Sequence, residues 1–348
     1  MSPEPPGAGI PREHAAAIEE LAARYGWRVV SAPGPVPQSV SNANYRVATD
    51  AGLRFFRAHR AGLSRERIER EQAAVRWAGE RGIPVAPAIE DSAGRAVHSI
   101  GGTSWTVYPW IEGRSLLRGT MTVGDARLLG AMVGRLHAVL RDWPAGDLHR
   151  NSELTWDTER SIAELSRVDD LIRYYPAPGE DQLQAQRWLR GQLARLESGV
   201  ARPSADFAGI PVQATHGDPH ERNLMVDGSG NAVAVVDWDR FCLNPPAFEV
   251  LRTLTFARLL DEPHLTAFLR GYGGENALDP ATAGPCVEQW WQSQLHNTWA
   301  FRERFIRGSG ATEQFFGDGA AAIERFSDEG FRAGLAARLV REASPGED

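Results

Sequence analysis

Apolar residues first fall at helical spacing over Ala16, Ile18, Leu21, Ala22 and Tyr25, and Gly26 stops that run. The pattern then shortens to strands, at residues 27–30, 45–48 and 53–59, the last two joined by Thr49-Asp50-Ala51-Gly52 as a hairpin. Alternation along the third strand puts Phe55, Arg57 and His59 on one face and Arg54, Phe56 and Ala58 on the other. Ser64 caps a helix that runs to Gly82 with Ile68, Ala73, Val75 and Trp77 inward. Two more strands, near 96–99 and 104–107, complete a β-rich first part. Beyond it the chain reads as helical. Leu128, Leu129, Met132, Leu136 and Val139 stripe a helix over 123–139, and residues 157–199 hold two amphipathic helices broken near Pro176-Ala177-Pro178-Gly179. Trp290, Trp291, Trp299, Phe301 and Phe305 also fit a ligand pocket, but core packing is the better account of them.

One hairpin interrupts the helical part. Leu224-Met225-Val226 and Ala232-Val233-Ala234-Val235-Val236 are β-type runs separated by the turn sequence Asp227-Gly228-Ser229-Gly230-Asn231. His216-Gly217-Asp218-Pro219-His220-Glu221-Arg222-Asn223 precedes it and Asp237-Trp238-Asp239 follows. Closing the hairpin returns Asp237 beside Asn223 and near Asp218. A carboxylate that accepts a hydroxyl proton, with an amide oxygen and a second carboxylate that hold magnesium, is what phosphoryl transfer requires. Taken singly, Asp218 suits a turn cap, Asn223 a loop end and Asp237 an exposed strand terminus. All three at this spacing favour the chemistry.

At these residues the chain resembles the aminoglycoside phosphotransferase family, the small-molecule branch of the protein-kinase-like fold. That family also includes homoserine and choline kinases and a bacterial stress-response kinase. Its signature is His-Gly-Asp, four variable residues, Asn, then Asp on the next strand with an acidic residue often two positions later. His216, Gly217, Asp218, Asn223, Asp237 and Asp239 meet it. The resemblance implies an α+β, two-lobed protein-kinase-like fold, with a small β-rich N-lobe and a larger, mainly helical C-lobe. The expected boundaries are a disordered 1–9, a nucleotide-binding lobe over 10–109, a catalytic and acceptor-binding lobe over 110–342, and a disordered 343–348.

The same resemblance implies roles residue by residue. Asp218 is the catalytic base; Asn223 and Asp237 hold Mg2+, with Asp239 assisting. Ser41 and Asn42, in the loop over 39–44, cover the phosphates of ATP or GTP. Phe55 and Arg57 line the nucleotide, Arg57 in place of the family's lysine, with Glu71 as the partner of that cation and Glu69 as its competitor. Tyr108-Pro109-Trp110-Ile111-Glu112-Gly113 resembles the interlobe hinge, which puts Tyr108 and Trp110 at the adenine. His216 supports the catalytic loop, and so does Glu249, which stands in Asn244-Pro245-Pro246-Ala247-Phe248-Glu249-Val250 where the family carries Asp.

Composition then narrows the partners. The 348 residues, 42% hydrophobic and 24% charged, suffice for two lobes with a substantial core. A net charge of −7 argues against nucleic acid as a partner, and no apolar run is long enough for a membrane span. Two cysteines, Cys242 and Cys286, and an N-terminus without signal-peptide character fit a cytoplasmic protein with free thiols. There is no lysine: all 38 basic residues are Arg, so any phosphate-binding cation is a guanidinium. The resemblance implies as partners a nucleoside triphosphate and a small hydroxylated acceptor, plausibly an antibiotic. A homoserine- or choline-type metabolite kinase, a stress-response Ser/Thr protein kinase and a nucleotide-binding pseudokinase scaffold are the rivals. Trp238-Asp239 in place of Phe-Gly, and the short step from there to Pro245-Pro246, speak against a protein acceptor.

Overall fold

The computed structural model describes residues 10–36, 42–144, 146, 148–175 and 178–343. The expected disordered ends lie outside these residues except Ala343, which is buried. The chain divides into two compact units, one taking the chain through Leu116 together with Arg222–Phe241, the other Leu117–Glu221 and the chain from Cys242 onward.

The first unit is built on an antiparallel sheet. Its strands lie in the order Gly34–Pro35, Ala43–Thr49, Gly52–Ala58, Thr103–Pro109 and Val97–Ile100. Alternation decides what each strand buries: Tyr45 and Val47 from the second, Phe56 from the third, Trp105 and Val107 from the fourth. The helix Arg12–Arg24 covers that face with Ile18, Leu21 and Ala22. Thr49 closes the central hairpin. Its hydroxyl donates to the Gly52 carbonyl at 2.8 Å and accepts the Ala51 N–H at 3.2 Å, while Gly52 takes a φ of +104°.

Ser64 caps the helix Arg65–Glu80 by accepting the Arg67 N–H at 3.3 Å, as its position before the apolar run predicts. The buried face differs from the expected one. Ala74 and Ala78 replace Ala73 and Trp77 beside Ile68 and Val75, and the polar Glu71 and Gln72 go inside with them. The hairpin Leu224–Val226 and Ala232–Val235 belongs to this unit and pairs with Arg114–Ser115. Its turn is tied by Asp227, whose Oδ1 accepts the N–H groups of Ser229 and Asn231 at 2.8 and 2.9 Å.

The second unit is mainly helical, so the α+β fold class with a small sheet-bearing part and a larger helical part is the one observed. Thr122 and Asp125 form a capping box at the start of Val123–Leu140. That helix packs on His264–Gly273 at glycine contacts. A Cβ on Gly130 would stand 2.0 Å from the Phe268 carbonyl oxygen, and one on Gly271 would stand 2.1 Å from that of Arg127. The expected amphipathic pair appears as Thr158–Arg173 and Glu180–Glu197. Trp290, Trp291 and Phe301 are buried, in line with core packing, whereas Trp299 is 38% exposed. Both cysteines are buried, and neither is in a disulfide.

Backbone atoms cannot retreat from a methyl group, so Gly130→Ala should lower the unfolding free energy by about 1–3 kcal/mol. Gly124→Ala on the same helix should be neutral or slightly stabilising, because its Cβ meets nothing closer than 3.6 Å. Urea midpoints of the two variants check the contrast.

Candidate active site

In the first unit the site grows from one residue pair across the sheet. Asn44 lies directly opposite Arg57 on the neighbouring strand. Its Oδ1 accepts from Arg57 Nε at 3.3 Å. The other end of the guanidinium reaches Asp237, with Nη1 3.1 Å from Oδ1. Arg57 is buried, and burial alone would lower its pKa. Asp237, with Tyr108, Glu71 and Asp239 behind it, more than offsets that and raises it.

Asp237 is presented by the hairpin. Leu224 pairs with Val235, and the Val236 N–H donates to the Asn223 carbonyl at 2.9 Å. Asn223 and Asp237 therefore flank the same end of the ladder, as the turn spacing predicts. Asp237 itself has a φ of +64°, one of two non-glycine residues in the left-handed region among those described. Such a backbone is uncommon outside glycine, and Asp is among the residues that adopt it most readily. Trp238 anchors the turn from below, its buried indole donating to the Val235 carbonyl at 3.1 Å. The Asp239 carbonyl accepts from Arg67 Nη2 at 3.0 Å.

Glu71 is the buried acid of its helix, and Glu69 is an exposed partner of Arg65. The expected pairing of Glu71 with Arg57 is not what forms. No ion pair joins them among the described residues, and the guanidinium goes to Asp237 instead. Burial pushes the Glu71 carboxyl up to about 8 against the pull of Arg57, with Asp239 and Asp237 adding to the rise. Gln72 joins this acid to the next strand, its amide donating to Glu71 Oε1 at 3.3 Å and to the Tyr108 hydroxyl at 2.9 Å.

Of the other expected nucleotide contacts, Phe55 and Tyr108 stand opposite each other on adjacent strands with rings 6.0 Å apart, both within 6 Å of the Arg57 guanidinium. Burial, reinforced by Glu71, pushes the Tyr108 hydroxyl up to about 12. Trp110 carries Arg46 over its ring at 5.3 Å. Asn42 is buried and its Oδ1 accepts the Arg60 N–H at 3.1 Å; Ser41 lies outside the described residues.

In the second unit, the strand Gln213–Thr215, paired with Cys242–Asn244, delivers His216, Gly217 and Asp218. Gly217 takes a φ of +87°, and its N–H donates to Glu249 Oε1 at 2.5 Å. The other Glu249 oxygen lies 2.8 Å from His137 Nε2, and His137 Nδ1 lies 2.9 Å from the Tyr272 hydroxyl. Burial works against the Glu249 charge. The His137 hydrogen bond and the neighbouring His216 outweigh it and hold the carboxyl below its ordinary value. His216 Nδ1 accepts the Asp218 N–H at 3.2 Å.

The Asp218 side chain has partners outside the expected set of site residues. Arg252 Nε donates to Asp218 Oδ1 at 3.0 Å, and Arg252 Nη1 donates to both Glu153 oxygens, at 2.8 and 2.6 Å. His220 Nε2 lies 3.7 Å from Asp218 Oδ2.

Among the described residues no three of His, Cys, Asp and Glu cluster as a self-sufficient metal site. The oxygen donors at the hairpin end, Asn223 and Asp237 with Asp239 two residues on, nevertheless suit Mg2+, which takes one or two carboxylates and completes its shell with water and substrate phosphates.

A family model described as "APH: Phosphotransferase enzyme family" matches residues 34–285. The chain belongs to that family. It is a small-molecule phosphotransferase, as the His-Gly-Asp and hairpin residues had implied. A homoserine kinase of Methylobacillus flagellatus is 24% identical over 277 residues, covering 75% of this chain and 78% of that one. Among solved structures, the amicoumacin kinase hAmiN, in complex with AMP-PNP and Ca2+, is similar at a TM-score of 0.59 and 17% identity, with 95% of each chain covered. The spectinomycin phosphotransferase APH(9)-Ia, in complex with ADP and spectinomycin, gives a TM-score of 0.59 at 14% identity over 93% of this chain and 98% of that one. No helix among the described residues of this phosphotransferase is long and apolar enough to cross a membrane.

Glu249 is a fully buried charge with its hydrogen bonds satisfied, so Glu249→Ala should cost about 3–5 kcal/mol of stability by orphaning His137 and the Gly217 N–H. Thermal unfolding measures it. The same loss in Glu249→Gln would show that hydrogen bonding without charge is not enough.

Proposed function

We propose that this phosphotransferase moves the γ-phosphoryl group of ATP or GTP to a hydroxyl of a small polar molecule, with an antibiotic as the first candidate acceptor. The reading is carried by Asp218, whose carboxylate is fixed through Arg252 and whose loop is held by Glu249. In the transfer, the acceptor hydroxyl gives its proton to the Asp218 carboxylate as its oxygen forms the new P–O bond. The bond from the γ-phosphorus to the bridging oxygen breaks, and the nucleoside diphosphate leaves. Asn223 and Asp237 would hold Mg2+, with Asp239 assisting; the ion supplies charge neutralisation at the phosphates.

Arg57 serves the phosphates from a site where Asn44 already fixes its Nε. Asn42 and Ser41 would cover them, and Glu71 tunes the field around the guanidinium. Phe55, Tyr108 and Trp110 would face the base, with Tyr108 and Trp110 at the crossover. The hAmiN and APH(9)-Ia complexes, which hold AMP-PNP and ADP, support a nucleotide as one ligand. A homoserine-type metabolite is the second reading, favoured by the curated homoserine kinase that matches most of the chain. A protein acceptor has no such support: the step from Asp239 to the helix Pro246–Phe256 leaves little chain for a platform.

Asp218→Asn should lower kcat by about 10²–10⁴-fold, the range for loss of a positioned base. Asp237→Ala or excess chelator should abolish transfer while the circular dichroism spectrum is kept. Coupled nucleoside diphosphate release, run over panels of hydroxylated antibiotics, amino acids and amino alcohols beside peptides, identifies the acceptor. Saturable peptide phosphorylation with no small-molecule turnover would overturn the proposal.

A further inference from the structure

The Arg252 guanidinium is 8% exposed in its side chain and lies between two carboxylates, Asp218 and Glu153. It is not an incidental surface ion pair. Nε meets one oxygen of Asp218 at 3.0 Å, while Nη1 sits between both oxygens of Glu153. The Phe256 ring, 4.7 Å from the guanidinium carbon, backs it from one turn further along the same helix. Three different stretches of chain thus converge on one cation: the loop after Gln213–Thr215, the short helix Ser152–Leu154 and the helix Pro246–Phe256.

We infer that Arg252 is a positioning residue for Asp218, and that Glu153 is the anchor that keeps Arg252 in place. The inference rests on the assignment of Asp218 as the proton acceptor. By holding Oδ1, the guanidinium fixes the plane of the carboxylate and hence the direction in which Oδ2 is presented to a hydroxyl. Glu153 supplies the opposing pull that stops the guanidinium from swinging. Charge-assisted hydrogen bonds with a fixed fork geometry are suited to this work, and a lysine ammonium is a poorer substitute because it has no fork. A misplacement of about 1 Å at a reacting group costs on the order of 100-fold in rate.

The test compares steady-state kinetics and thermal melting of the full chain and four variants, Asp218→Asn, Arg252→Gln, Arg252→Lys and Glu153→Gln, with the acceptor found by the panel. Arg252→Gln should lower kcat about 10–100-fold, with KM for nucleotide and acceptor little changed. Arg252→Lys should recover part of that loss, and Glu153→Gln should lower kcat by a smaller factor. A role in stability alone would lower the melting temperature without this split between kcat and KM and without rescue by lysine. Wild-type kcat in Arg252→Gln, or a lysine variant no better than glutamine, overturns the inference while leaving the phosphotransfer reading intact. Full activity in Asp218→Asn overturns both. If Arg252→Gln does not fold, Glu153→Gln decides: a reduced kcat at unchanged KM supports the inference, and wild-type kcat overturns it.

Discussion

The Glu249 carboxylate is the interaction on which the loop of His216, Gly217 and Asp218 depends. It is a charge without solvent, so it persists only because donors surround it: the Gly217 N–H, His137 and, at longer range, His216. The two hydrogen-bonding partners, Gly217 and His137, belong to different elements. Gly217 reaches it only from a left-handed backbone, His137 stands near the end of Val123–Leu140, and His137 in turn is fixed by Tyr272 from the helix it packs against. The glycine contacts between those two helices bring their backbones close enough for that link. Fold and loop are therefore one problem: loosening the helix pair moves His137, and moving His137 orphans the acid that holds the catalytic loop.

Much of this was legible in the sequence. The hairpin around Asp227-Gly228-Ser229-Gly230-Asn231 could be seen because Gly, Ser and Asn punctuate two apolar runs, and its closure follows from strand pairing alone. Arg57 was picked out by the family resemblance, alternation placing it only on one face with Phe55 and His59, and of the two candidate acids Glu71 is the buried one. What failed was the pairing. Ion-pair partners of a buried arginine depend on which carboxylate arrives in space, and Asp237 is 180 residues away in the chain. Alternation fixes a face but not a partner.

Arg252 carried a signal that went unused. It lies three residues after Glu249 on one helix, a spacing that puts both side chains on the same face. If Glu249 meets Gly217, then Arg252 is brought toward the next residue of the loop, which is Asp218. Glu153 had no comparable signal, because the three-residue helix that carries it, capped by Asn151 through the Glu153 N–H, is too short to show a period.

The absence of lysine from the chain acquires a structural meaning at these two arginines. Arg57 holds Asn44 with Nε and Asp237 with Nη1; Arg252 holds Asp218 with Nε and Glu153 with Nη1. In both, the planar fork spans two partners that approach from different directions. Arginine also keeps its charge when buried more readily than an ammonium, whose pKa falls with desolvation. Each unit then carries one buried guanidinium that fixes one acid of the proposed reaction, Asp237 in the first and Asp218 in the second. The two acids are held by the same chemistry from separate cores, and perturbing either core should be felt first in the orientation of its own acid.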